Sequence, residues 1–255
     1  MKKLITYIFS LLMLISLVYI TKEIIVFSKD LILFNEYQTE ALVKQERMLK
    51  PAVKISSIQE GPDTGDSLTS TATGFSIKYD PATNSSFVIT NDHFCRSVVS
   101  GFILIIEDYE KSIIDVSDEY IKSQILYTDP ELDLCLVKAS GFIKPVIMAD
   151  YNYKPELFEK VFIVGGPTGN FPIIIDTYVS SIVKREDIFM ETMSEEGNDL
   201  LLVSEQIFPG HSGSPVFNQE GELIGVVFAS MQTYGGIAIS HKDISELLYR
   251  FENQP

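Results

Sequence analysis

The sequence predicts an all-β domain, a double β-barrel closed by a C-terminal helix and preceded by an N-terminal transmembrane or juxtamembrane helix. Three observations predict it. Short β-branched and aromatic runs, such as residues 86–90, 160–164 and 200–203, alternate with turn clusters rich in Gly, Pro, Asn and Asp. His93, Asp133 and Ser212 each stand beside such a run, in a chain order that the double β-barrel is known to carry. An uncharged apolar run fills residues 4–20, directly behind Lys2 and Lys3.

The apolar run comes first. Its residues, at about 1.5 Å each, span roughly 25 Å as a helix, just short of a hydrocarbon core of about 30 Å. No Ala precedes Ala41 and no Gly precedes Gly61, so the small-residue site of a cleaved signal is missing. Residues 1–21 are therefore expected to be an uncleaved anchor, with a cleaved signal as the alternative. Lys2 and Lys3 favour a cytoplasmic N-terminus, which puts the rest of the chain outside the cytoplasm. Residues 22–50 lack Gly and Pro, and Ile24, Phe27, Leu31 and Phe34 recur at helical spacing. The seam then continues through Gln38, Ala41, Gln45 and Met48, too polar for a strong coiled coil, so a spacer helix ending at Pro51 is expected.

Residues 51–255 form the expected barrel domain. Residues 61–66 and 80–84 are loops by composition. Further strand-like runs are residues 101–106, 123–127 and 171–175. Ser240 and Asp243 make a capping-box pattern, followed by Ile244, Leu247, Leu248 and Phe251 at helical spacing. With 255 residues, 45% of them hydrophobic, the chain can bury a full core. A net charge of −15 argues against a nucleic-acid partner.

The motif with most chemistry is Pro209-Gly210-His211-Ser212-Gly213-Ser214-Pro215. A serine hydroxyl becomes a nucleophile when a base takes its proton and backbone N–H groups hold the oxyanion that forms. Flanking glycines let the chain bend so that two N–H groups converge. A histidine ends the run Ile89-Thr90-Asn91-Asp92-His93, and Asp133 enters the run Leu134-Cys135-Leu136-Val137. A carboxylate leading into an apolar strand needs a partner.

Together with residues 73–77, 164–169, 221–225 and 236–239, these segments resemble, in order, the trypsin-fold serine proteases, and most nearly the bacterial HtrA (Deg) group. The stretch after Ser212 is also similar to the glutamyl endopeptidases. The resemblance implies a catalytic set of His93, Asp133 and Ser212. It also implies an oxyanion hole from the N–H groups of Gly210 and Ser212, and a substrate pocket near Gln206, Ile207, Val227, Ser230 and Gly236. Val227 stands where glutamyl endopeptidases carry a histidine, so a preference for acidic residues is not implied; an open, largely apolar pocket is. The HtrA group carries a PDZ module after its protease domain; with the chain ending at Pro255, none is expected here.

The remaining motifs read plainly. His211 and His241 are expected to be structural. No cofactor is expected, nor a metal, since the histidines and cysteines lack ligand spacing. Residues 165–170 lack the Gly-Lys-Ser/Thr ending of a P-loop and read as an inter-strand turn. Cys95 and Cys135 could approach each other, because His93 and Asp133 must meet. Buried free thiols are the expected state and a disulfide the alternative. The leading function is a membrane-anchored serine endopeptidase acting on extracytoplasmic protein. A catalytically silent peptide-binding protein and a tethered scaffold, a homo-oligomer assembled through residues 24–50, are the alternatives.

Overall fold

The computed structural model describes residues 2–60, 67–97, 103–110, 124–189, 199–231 and 235–253. It divides into two units, Met1–Val43 and Lys44–Pro255. The first is one helix, α1 (Lys2–Val43). Among the described residues no helix is long and apolar enough to cross a membrane. The anchor expectation rests largely on residues whose side chains lie outside the described set.

The second unit opens with a π-helical turn, Lys44–Leu49, whose Met48 is fully buried in the core. The first sheet contains β1 (Ala52–Glu60), β2 (Ser67–Asp80), β3 (Ser85–Thr90), β4 (Ile103–Glu107), β5 (Gln124–Asp129) and β6 (Leu134–Ser140). Its order is β4-β1-β2-β3-β6-β5, and the pairings are antiparallel. A short helix, α2 (Asp92–Ser97), follows β3.

The second sheet contains β7 (Ile147–Met148), β8 (Lys160–Gly165), β9 (Ile173–Val183), β10 (Leu200–Val203), β11 (Pro215–Phe217), β12 (Glu222–Met231) and β13 (Gly235–Ser240). Pairing of β11 with both β8 and β12 closes the ring β11-β8-β9-β10-β13-β12, and β7 lies parallel on β12. A short helix, α3 (Arg185–Phe189), follows β9, and α4 (His241–Glu252) follows β13.

Each sheet has its own apolar cluster: Val53, Ile55, Val88 and Val137 in the first; Val161, Ile163, Leu201 and Val227 in the second. A third cluster joins Phe75, Leu132 and Leu136 to Phe217, Val226, Ile244 and Leu247, packing α4 and both sheets together. Each such side chain contributes about 1.5–3 kcal/mol by leaving water. Strands 160–164 and 200–203 form within a residue of expectation; the run at 171–175 starts later and extends to Val183. At α4, Ser240 caps the helix by accepting from the Lys242 N–H at 3.3 Å, while Asp243 pairs with Arg185 at 2.9 Å. The capping residue was legible; the buried ion partner 58 residues away was not.

Free thiols are corrected. Cys95 and Cys135 form a disulfide, with Cα atoms 6.5 Å apart. The reason is local: antiparallel pairing sets Thr90, at the end of β3, opposite Cys135, and α2 then folds Cys95 back onto β6.

Candidate active site

His93 sits in the first turn of α2 and Asp133 at the close of the β5–β6 hairpin. Asp129 pairs with Leu134 across that hairpin, leaving Pro130-Glu131-Leu132-Asp133 as its loop. The Asp129 carboxylate organises the loop, since its Oδ1 accepts from the N–H groups of Glu131 and Leu132, both at 3.1 Å. Asp133 itself adopts φ 54°, a left-handed conformation that a non-glycine residue holds only when its surroundings impose it. Asn91 Nδ2 donates to the Asp133 carbonyl at 3.0 Å, which imposes it from the other side.

The Asp133 carboxylate, almost fully buried, takes two hydrogen bonds from one residue. Oδ1 accepts from the His93 backbone N–H at 2.9 Å, and Oδ2 faces His93 Nδ1 at 2.8 Å. On the far side of the ring, Nε2 lies 3.0 Å from Ser212 Oγ. Carboxylate, imidazole and hydroxyl thus form one continuous hydrogen-bonded chain. With the ring proton on Nδ1, Nε2 is free to accept from the serine.

Ser212 stands on the loop before β11. Its carbonyl accepts from the Thr73 N–H at 2.8 Å, Gly213 N–H donates to the Val227 carbonyl at 2.9 Å, and Ser214 carbonyl accepts from Val227 N–H at 2.9 Å. Gly213 has φ 81°, and a Cβ there would collide with the Thr73 carbonyl and Thr90 Oγ1. Gly210 has φ 99°; its carbonyl accepts from Thr73 Oγ1 at 2.8 Å. Thr168 N–H holds the Pro209 carbonyl at 2.8 Å. In a trans peptide that leaves the Gly210 N–H pointing away from the Thr168 loop.

Thr73, which in the sequence stands out only as the first residue of the 73–77 resemblance, ties the serine loop to β2. Fully buried on β2, it binds the Ser212 and Gly210 carbonyls and accepts from the Gly166 N–H at 3.0 Å. A threonine in a strand gives no sequence signal of this role, because the Gly166 and Gly210 partners lie 93 and 137 residues away in the chain.

The residues named for the pocket divide. Gln206 and Ser230 are exposed, and Ser230 Oγ lies 3.5 Å from the Gly235 carbonyl. The Ile207 side chain rests directly on Gly236. Val227 is fully buried in the second apolar cluster and touches the serine loop through its main chain. His211 is buried with Nδ1 3.1 Å from the Phe208 carbonyl, and its burial holds its pKa below the ordinary histidine value. His241 places its ring nitrogens 3.2 and 3.1 Å from the Ile224 and Asp150 carbonyls. Residues 165–170 form the turn between β8 and β9. No cluster of metal-ligating side chains occurs among the described residues.

Asp92, next to His93, is fully buried and lies 2.5 Å from Arg96 Nε. Burial, the largest influence, pushes its carboxyl pKa up; Arg96 opposes this, and Asp133 and Asp129 reinforce it.

Comparison with known proteins agrees with this architecture. A probable periplasmic serine endoprotease, DegP-like, of Pseudomonas putida (strain GB-1) is 27% identical over 158 residues, which is 62% of this chain and 28% of that protein. A serine protease, HtrA-like, of Staphylococcus epidermidis (strain ATCC 35984) is 25% identical over 194 residues, 71% of this chain and 31% of that protein. The chain thus spans under a third of the length of these curated relatives. Among solved structures, the HtrA-type protease AlgW with tripeptide superposes with a TM-score of 0.63 at 18% identity, covering 83% of this chain and 63% of that one. The serine endoprotease from Yersinia pestis gives 0.60 at 18%, covering 82% and 65%. The trypsin-like peptidase domain model matches residues 72–226, a span that holds His93, Asp133 and Ser212 and more than half of the sequence, so the chain belongs to the trypsin-like peptidase domain family.

Proposed function

We propose that the protein is a serine endopeptidase that hydrolyses peptide bonds in extracytoplasmic proteins, with Ser212, His93 and Asp133 as its catalytic residues. The observation that carries this reading is the unbroken hydrogen-bond chain from Asp133 through His93 to Ser212 Oγ. Ser212 Oγ attacks the scissile carbonyl while His93 Nε2 takes its proton. The tetrahedral oxyanion is held by the N–H groups of Gly210 and Ser212, each such donor contributing about 3 kcal/mol to the transition state. His93 then passes the proton to the leaving amine, and the acyl-enzyme forms on Ser212. Water, deprotonated by the same nitrogen, attacks the acyl carbonyl and releases the product acid. Asp133 keeps the ring in the productive tautomer and stabilises the imidazolium between these steps.

Two further features belong to the proposal. Residues 1–21 tether the enzyme to a membrane, supported by the uncharged run and the lysines that precede it, with residues 22–50 as spacer and residues 51–255 as the peptidase. N-terminal sequencing of the mature protein that begins between residues 20 and 50 would overturn the tether. The residue before the cut bond is aliphatic, because Ile207 covers Gly236 and offers apolar contact there. An unpaired charge would lose several kcal/mol of hydration in such a pocket.

The test is labelling of the full chain by a fluorophosphonate, together with casein hydrolysis. Labelling on Ser212, and at least a thousandfold loss of hydrolysis in Ser212→Ala, is expected. Equal hydrolysis by Ser212→Ala sinks the assignment. No labelling of a folded wild-type chain would favour the catalytically silent reading.

A further inference from the structure

The helix that ends the described chain reaches back to the aspartate loop. Arg250 of α4 places Nη1 3.0 Å from Asp129 Oδ2 and 3.0 Å from Glu131 Oε2, and Nε 3.1 Å from Glu246 Oε1. Asp129 is nearly fully buried. Its other oxygen holds the N–H groups of Glu131 and Leu132, the residues leading directly into Asp133. One arginine therefore fixes Asp129, at the end of β5, and Glu131, within the four-residue loop whose last member is the strained Asp133.

The same guanidinium answers an electrostatic problem. Asp92, Asp129 and Asp133 are three buried carboxylates that feel one another's charge: Asp133 faces the His93 ring, Asp92 precedes His93 in the chain, and Asp129 opens the hairpin loop. A buried carboxylate without a counter-charge is costly. Among the described residues, the charged groups paired with this cluster or with its arginine are Arg96 and His93 from α2, Glu131 from the hairpin loop, and Arg250 with Glu246 from α4. Arg96 partners Asp92, His93 partners Asp133, and Arg250 partners Asp129.

We infer that Arg250 is a positioning residue for the Asp133–His93 pair: it holds the Asp129 loop in the shape that aims the Asp133 carboxylate, and it balances the charge that the general base experiences. The inference rests on the proposed protease reading. It makes the C-terminal helix part of the catalytic apparatus of the first barrel, although α4 follows the last strand of the second.

A purely structural role and a positioning role differ in sign. Removing the cation leaves the His93 imidazolium in more negative surroundings, so the acid limb of the labelling-rate profile moves to higher pH. Asp129→Asn removes an anion but keeps an oxygen for the two N–H groups, so the limb moves to lower pH. The combined Arg250→Gln, Asp129→Asn chain removes both charges, and its limb returns toward the wild type. A structural defect alone produces no such reversal.

The experiment measures the rate of Ser212 labelling by a fluorophosphonate against pH in the full chain, beside the NMR resonance of the His93 Nδ1 proton. Arg250→Gln is expected to slow labelling about tenfold through misaimed geometry, with Arg250→Lys recovering most of the rate. Arg250→Gln labelled at the wild-type rate, with an unmoved profile, overturns the inference. If thermal melting shows Arg250→Gln unfolded, Asp129→Asn and Arg250→Lys decide it, and an unmoved acid limb in Asp129→Asn overturns it. If the wild type is not labelled at all, the protease reading fails, and the resonance then judges the clamp alone. A His93 proton signal unchanged by Asp129→Asn, and by Arg250→Gln where that variant folds, overturns the clamp in that case as well.

Discussion

In the first barrel, His93 and Asp133 are fixed by side chains and a covalent bond: the Asp133 carboxylate on the ring, the Asp129 carboxylate on the hairpin loop, and the Cys95–Cys135 bridge. In the second barrel, Ser212 is fixed by main chain: Ser212 O to Thr73 N–H, Gly213 N–H to Val227 O, and Ser214 O to Val227 N–H. In the proposed mechanism the base, His93, must present one nitrogen in one tautomer, which only specific acceptors impose. The proposed nucleophile, Ser212, must sit on a turn tight enough to converge two N–H groups, which only backbone shape imposes. The first half should therefore fail when chemistry changes, and the second when shape changes.

The largest effect tests shape. Gly213→Ala adds a single methyl group at φ 81°, against the Thr73 carbonyl, which is itself held by Thr90 Oγ1 at 2.8 Å. Neither the left-handed backbone nor the carbonyl can give way without moving Ser212. We expect a destabilisation on the order of 4 kcal/mol, read by denaturant melting, and no fluorophosphonate labelling. A folded, labelled Gly213→Ala protein would show that the serine loop is not set by backbone shape.

Next comes the covalent tie. The disulfide joins residues 40 apart in sequence, and each cysteine lies two residues beyond a member of the His93–Asp133 pair, so bridge and hydrogen bond close the same loop. Closing a loop of that size constrains the unfolded chain by about 4 kcal/mol. Replacing both cysteines with alanine should lower Tm by about 8–16 °C in calorimetry, and a dithiol reductant acting on unfolded wild type should reproduce that loss on refolding. Equal melting of oxidised and alanine chains would mean that noncovalent packing alone holds the first half together.

What the sequence made legible follows the same division. The His93, Asp133 and Ser212 segments could be read because each couples a distinctive residue to a strand or a glycine turn, signals that are local. The strands at 160–164 and 200–203 were legible for the same reason. Thr73, Arg250 and the Arg185–Asp243 pair were not, because their partners lie 137, 121 and 58 residues away and a threonine or arginine alone announces nothing. The disulfide fell between: the approach of His93 to Asp133 implied that the cysteines could meet, yet the thiols' identity as a bonded pair depended on the turn of α2. β1 and much of β2 carry serine and threonine on buried positions, Ser56, Ser57 and Thr73 among them, which blurs the alternation by which strands are recognised.

The smallest effect concerns a group that neither half needs. Asp92 touches His93 in sequence and is fully buried, yet its nearest cation is Arg96, whose side chain is more than half exposed. Burial pushes the Asp92 pKa above its ordinary value of 3.8. The native state therefore holds this proton more tightly than the unfolded chain, and as pH rises past the ordinary value the unfolded chain loses it first. Between those limits the native state binds more protons, so this contribution to stability falls with rising pH and stays low above the native value. Asp92→Asn removes the titration. The variant should match the wild type near pH 3 and melt slightly higher at pH 7, within about 4 °C. Losing the charge also leaves Arg96 free to turn into solvent, at little cost for so exposed a side chain. Melting curves of both proteins between pH 3 and pH 7 read the difference directly. If Asp92→Asn is instead the less stable at pH 7, the Arg96 attraction outweighs the burial cost, and Asp92 joins Asp129 as a carboxylate whose charge the first half of the site requires.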